Sequence, residues 1–160
     1  PPVLIFGAGH VGRALAAALL PLPVEARLID QRADELAQAP EGVRRILTPL
    51  PEAEIRAAPP GAAFVILTHD HALDFLLAVE ALGRDDAAYV GMIGSRTKRA
   101  TFSRYARQQG VSPHGLTCPI GAGRTRDKRP AVIAALTAAE LLDTLLAPAE
   151  PAPVIFTLHD

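Results

Sequence analysis

Short apolar runs alternate along this chain with longer segments whose apolar positions recur every three or four residues. Val3-Leu4-Ile5-Phe6 reads as a buried strand and Arg13 to Leu20 as an apolar helix, joined by the turn Gly7-Ala8-Gly9-His10-Val11-Gly12. Ala26 to Ile29 is a second apolar run, ended by Asp30. Arg32 to Ala39 predicts a short helix, Val43 to Leu47 a third strand, and the proline-rich stretch 49–60 one helical turn at 53–57. Ala62 to Thr68 is a fourth strand, apolar on both faces as a central parallel strand should be. His71 to Leu82 has helical spacing, Ala87 to Ile93 is a fifth strand, and Arg96 to Gln109 is an amphipathic helix stopped by Gly110. Pro130 opens a last helix over Ala131 to Leu146. Residues 148–153 read as a linker, and Val154 to Leu158 as a final strand or a tail.

Strand and helix in alternation, with short links, predict an α/β fold: a Rossmann-like, doubly wound parallel sheet. It would form one domain over residues 1–147, followed by a linker and tail at 148–160. Ligands of such sheets sit at the carboxyl ends of the strands. Here those ends are Gly7 to Gly12, Asp30, Thr68 to His71 and Gly91 to Ser95. The glycines of the first turn serve different ends: Gly7 permits the turn, Gly9 lets backbone approach a phosphate, and Gly12 lets the helix pack closely. Asp30 stands where a ribose acceptor usually does, and Arg32 near it would tolerate a 2′-phosphate.

The chain has 160 residues, 49% of them hydrophobic, and a net charge of −1. Nothing global draws it to nucleic acid or to a membrane. The single cysteine, Cys118, suits a reducing cytoplasm. The opening Pro1-Pro2, without methionine, reads as a domain of a longer protein. Charge is uneven. Between Ser95 and Ala135 stand Arg96, Lys98, Arg99, Arg104, Arg107, Arg124, Arg126, Lys128 and Arg129 against one acid, Asp127. A basic half of that kind points to an anionic ligand or partner.

The first turn of the helix capped by Ser95 holds three cations and no acid, the reverse of what the helix dipole prefers. The turn reads as an oxyanion site built from backbone N–H groups, Ser95, Arg96 and Lys98, or else as a solvated basic helix end. His69 and His71 are two apart and could face one way, yet two histidines do not make a metal site. The structural alternative has Asp70 or His71 capping the next helix and His69 bonded to backbone. Cys118 precedes a glycine loop and four cations, which would favour its thiolate; otherwise it is a small buried residue. His10 could donate to a phosphate or pack on the strand end. No hydride-transfer pair, nucleophile–His–acid triad or paired-carboxylate site is visible.

Gly-Ala-Gly-His-Val-Gly from Gly7, Leu-Thr-His-Asp-His from Leu67, Tyr-Val-Gly-Met-Ile-Gly-Ser-Arg-Thr-Lys-Arg from Tyr89 and Cys-Pro-Ile-Gly from Cys118 occur in this order. Lys-Arg-Pro-Ala-Val-Ile-Ala-Ala from Lys128 follows them. Together they resemble the C-terminal Rossmann domain of the XdhC/CoxI family, the xanthine dehydrogenase accessory proteins, over Val3 to Leu146. The resemblance implies a cytoplasmic chaperone that binds molybdenum cofactor (molybdopterin). It holds the cofactor while a cysteine desulfurase supplies sulfur, and passes it to the molybdenum subunit of apo-xanthine dehydrogenase; the resemblance does not imply a turnover of its own. The family adds an N-terminal domain. On this expectation Gly7, Gly9, His10, Gly12, Asp30 and His69 lie along the cofactor, Gly94, Ser95, Arg96 and Lys98 take an anionic group, and Cys118 lies near molybdenum. The rival expectations are an NAD(P)-binding oxidoreductase domain and a scaffolding module whose basic helix docks a partner. A homodimer is compatible with each.

Overall fold

Strands that are apolar on both faces must be covered on both, and the computed structural model, which describes residues 1–148, 154 and 155, has that layered form. The elements run β1 (Pro2–Phe6), α1 (His10–Leu19), β2 (Glu25–Asp30), α2 (Ala33–Ala37), β3 (Arg44–Leu47), α3 (Pro51–Ala57) and β4 (Ala63–Ile66). They continue α4 (His71–Leu82), β5 (Tyr89–Met92), α5 (Arg96–Gln108), a 3₁₀ turn (Pro113–Gly115), β6 (Leu116–Thr117) and α6 (Pro130–Leu145). All strand pairings are parallel, in the order β3-β2-β1-β4-β5-β6. This is the doubly wound Rossmann order, and the direction of winding reverses between β1 and β4.

Alternation along β1 and β4 divides the core in two. Val3, Ile5 and Val65 face Leu15, Ala16 and Leu19 of α1 and Ala134, Ala138 and Leu141 of α6. Leu4, Phe6, Phe64 and Ile66 face Ile55 of α3, Leu77, Ala78 and Ala81 of α4, and Phe102 and Ala106 of α5. Small residues let α1 and α6 pack on one another over the first face. Tyr89 ties α6 to the sheet: its hydroxyl donates to the Glu140 carboxylate. Burial, and then that carboxylate, push the phenol above its ordinary range.

The glycine turn is held by a backbone contact. Gly7 has φ +119°, and a Cβ at Gly12 would sit 1.8 Å from the Gly7 carbonyl oxygen. No side chain fits there, so α1 starts hard against the end of β1.

Several bounds differ from expectation. Helix α1 begins at His10, inside the glycine motif, and α3 fills Pro51–Ala57 with its proline in the first turn. The sixth strand is Leu116–Thr117, two residues between a 3₁₀ turn and Cys118-Pro119, too short to carry any periodicity. The expected tail strand at 154–158 and most of the 148–153 linker lie outside the described residues; Pro148, Val154 and Ile155 have no regular structure. Replacing Gly12 by alanine should cost about 3 kcal/mol or more, because the added carbon meets backbone that cannot yield. Urea unfolding measures it, and an unchanged midpoint would contradict the packing.

Candidate functional site

At the end of β2, Asp30 is turned back on the glycine turn. Its Oδ2 accepts the Ala8 N–H at 2.7 Å, and its Oδ1 the Arg32 N–H at 2.8 Å. The Arg32 guanidinium closes on both oxygens at 3.0 Å. Burial alone would raise this carboxyl's pKa, but the bonds from Arg32 and Ala8 outweigh it and hold the group below the ordinary aspartate range. Asp30 therefore departs from the ribose-acceptor expectation: its lone pairs are taken by the fold. Arg13 continues the wall, donating to the Ala8 carbonyl and to Glu35, each at 2.7 Å. His10 is exposed beside it. Gly9 caps α1 without any side-chain bond. Together with Gly12, Arg13 and Arg32, these residues border a depression of about 390 Å³.

A larger cleft, about 720 Å³, opens beyond the ends of β4 and β5. Thr68, His69, His71, Gly94, Ser95 and Lys98 form one side; the loop from Pro119 to Lys128 and the start of α6 form the other. The two depressions meet at Thr68, His69 and Ile93. Asp70, as one alternative foresaw, caps α4, accepting from Ala72 and Leu73. His69 and His71 are both exposed on the cleft wall, and His69 has no hydrogen bond to backbone among the described residues.

Asp74 is the residue that no sequence motif marked. It is 0% exposed, and accepts from the Thr68 N–H at 2.9 Å, the Thr68 hydroxyl at 2.6 Å and Lys98 Nζ at 2.7 Å. The acid missing from the first turn of α5 is thus supplied by α4. Lys98 is ion-paired within the fold and is not a free cation awaiting an anion. The Ser95 hydroxyl caps α5 by accepting the Lys98 N–H at 3.2 Å. A Cβ at Gly94 would meet Lys98 Cδ at 2.7 Å, so glycine is what lets the lysine stem cross this turn. Arg96 is exposed and lies outside the cleft lining. The signal for Asp74 was present: it shares a helical face with Leu77, Ala78 and Ala81, all buried.

Cys118 is 3% exposed and does not line the cleft. Burial pushes its thiol up, against the opposing pull of Lys98 and Arg99, so the thiolate expected from the neighbouring cations is not favoured. Its carbonyl accepts from Arg99 at 3.3 Å. The cleft's exposed cations are instead Arg126 and Lys128, on the basic loop before Pro130, part of the basic half that pointed to an anionic ligand. Among the described residues no group of three or more His, Cys, Asp or Glu is placed to hold a metal ion. Among the same residues no helix is long and apolar enough to cross a membrane.

The fold and the site define a Rossmann domain with a basic-rimmed cleft at the carboxyl ends of its strands. Residues 3–141 match the family model of the XdhC Rossmann domain, and the chain belongs to that family. A solved structure described as a xanthine dehydrogenase (BH1974) from Bacillus halodurans superposes with TM-score 0.75 at 23% identity. The match covers 91% of this chain and 42% of that one, so the chain spans less than half of that relative's length. The chuY protein of E. coli CFT073 superposes with TM-score 0.53 at 19% identity, over 88% of this chain and 89% of that one. At these identities the likeness is one of fold. No curated protein matches the sequence.

Because the Asp30 pKa lies below its unfolded value, its contribution is present above about pH 4 and lost as pH falls through the depressed value. Asp30→Asn should lower stability by about 2 kcal/mol at pH 7 and by less at pH 3, below the unfolded carboxyl's pKa. Urea unfolding of both proteins at the two pH values checks this; an equal gap at both would contradict the assignment.

Proposed function

We propose that this domain holds molybdenum cofactor in the cleft between α5 and the 119–128 loop, as part of an accessory protein that delivers it to xanthine dehydrogenase. The observation that carries the proposal is the cleft's composition. It joins the N-terminal end of α5, with its Ser95 cap, to a glycine-containing loop bearing Arg126 and Lys128, across about 720 Å³. The exposed Arg126 and Lys128 suit a phosphate, the start of α5 supplies further donors, and the half-buried Ile133 and Leu136 suit the flat face of a heterocycle. The donors are nitrogen and hydroxyl groups. They fit the organic, anionic part of the cofactor, while Cys118, buried outside the cleft lining, is not offered to molybdenum. The bound cofactor would supply the metal–dithiolene centre; the domain's own residues bind and orient, and no turnover is assigned to them.

The reading places the protein in the cytoplasm, with the molybdenum subunit of apo-xanthine dehydrogenase and a cysteine desulfurase as partners. An NAD(P)-dependent role is disfavoured by Asp30, whose oxygens already accept from Ala8 and Arg32. The domain, incubated with molybdopterin and passed through a gel-filtration column, should retain molybdenum and pterin. Replacing Arg126 and Lys128 together by alanine should weaken retention about 10-fold or more with little change in melting temperature. Titration with NAD(H) should give no signal. A protein that stays empty, or a double variant that binds as well as the wild type, would overturn the proposal.

A further inference from the structure

The side chain of Lys98 is 9% exposed and borders the cleft, yet its ammonium has one partner among the described residues, Asp74 at 2.7 Å. An ammonium has three donors. Two of them have no partner within the protein among the described residues, on a side chain that borders the cleft. The charge, however, is already matched. Asp74 is wholly buried and directly paired, so Lys98 and Asp74 together present hydrogen-bond donors without net charge. On the loop side of the cleft Arg126 and Lys128 are exposed, and neither has a salt-bridge partner among the described residues.

We infer that the cleft is polarised between its two sides. The Lys98 side reads an uncharged acceptor, a carbonyl oxygen or ring nitrogen of a heterocycle, and the loop side reads the ligand's phosphate. Asp74 and Thr68 act as positioning residues: they hold the ammonium at the wall and cancel its attraction for an anion. Lys98 is thereby a specificity determinant for the ring and not the oxyanion ligand that its place in a cationic helix turn suggested. The inference rests on the cofactor reading above and assigns the parts of that ligand to the two sides of the same site.

The stable, fluorescent oxidised pterin derived from the cofactor, used with and without its phosphate, separates the two sides. Wild-type domain should bind the phosphorylated form the more tightly. Lys98→Met combined with Asp74→Asn removes both charges, and the asparagine oxygen can still accept from Thr68, so this pair keeps the fold where a single replacement would strand a buried charge. It should weaken both pterins by the same factor, about 10-fold, and leave the phosphorylated-to-dephosphorylated ratio unchanged. Arg126→Ala with Lys128→Ala should instead collapse that ratio toward one. If the Lys98 variant erased the ratio and the loop variant preserved it, Lys98 would be the anion site and the inference wrong. Wild-type protein that retains whole cofactor but neither pterin also overturns the inference; refusal of the whole cofactor overturns the functional reading itself.

Discussion

Asp74 sits out of water on the inner face of α4, and a carboxylate there is stable only because three donors from two other segments reach it. Two come from Thr68, just past β4, and one from Lys98, in the first turn of α5. The group therefore fixes the end of a central strand and the start of a neighbouring helix relative to α4. These are the parts that make one side of the large cleft. Glycine at position 94 is a consequence of the same constraint, since any side chain there would displace the lysine stem. The site is shaped from beneath by a buried charge pair, and its loop side is free to carry the exposed cations.

A second carboxylate plays the equivalent part on the other side of the winding reversal. Asp30 draws Ala8 and Arg32 together, so that the glycine turn, the end of β2 and the approach to α2 form one hydrogen-bonded unit. Both acids stand at strand or helix ends where a ligand contact is ordinarily sought, and both are engaged by the protein. What faces outward is mostly backbone, histidine and loop cations. On the function proposed above, such a cleft would hold an anionic heterocycle chiefly through these donors.

The fold was legible because its signals are long-period ones. Strands Val3–Phe6 and Ala62–Thr68 are apolar throughout, and His71–Leu82 and Arg96–Gln109 show helical spacing stopped by glycine. Strand β6 was not legible, since two residues cannot display alternation. The site was legible in outline: Gly9, His10, His69, Ser95 and Lys98 all border the two depressions. Their partners were not. Lys98 meets Asp74 across 24 positions of chain, and Asp30 meets Ala8 across 22. Local charge patterning counts cations along the chain and cannot register an acid delivered by another helix, which is why the α5 turn read as uncompensated. Cys118 stood between a favoured thiolate and a small buried residue for the complementary reason, and it is the buried one. Nearby cations are visible in sequence, whereas the burial that opposes them belongs to the tertiary packing.

The sheet ends in two very different rims. At one side β6 contributes only Leu116 and Thr117; at the other β3 runs four residues and opens with Arg44 and Arg45. Arg45 turns its guanidinium back onto carbonyls around the end of α2, and Arg44 is paired with Glu25 on the adjoining strand. Short rims and charged ones are poor templates for an added strand. Both described rims are thus poor sites for sheet extension, which leaves helices and loops as the surfaces better suited to assembly. The strand ends would then stay open to the outside, and a guest could enter or leave without the sheet being taken apart.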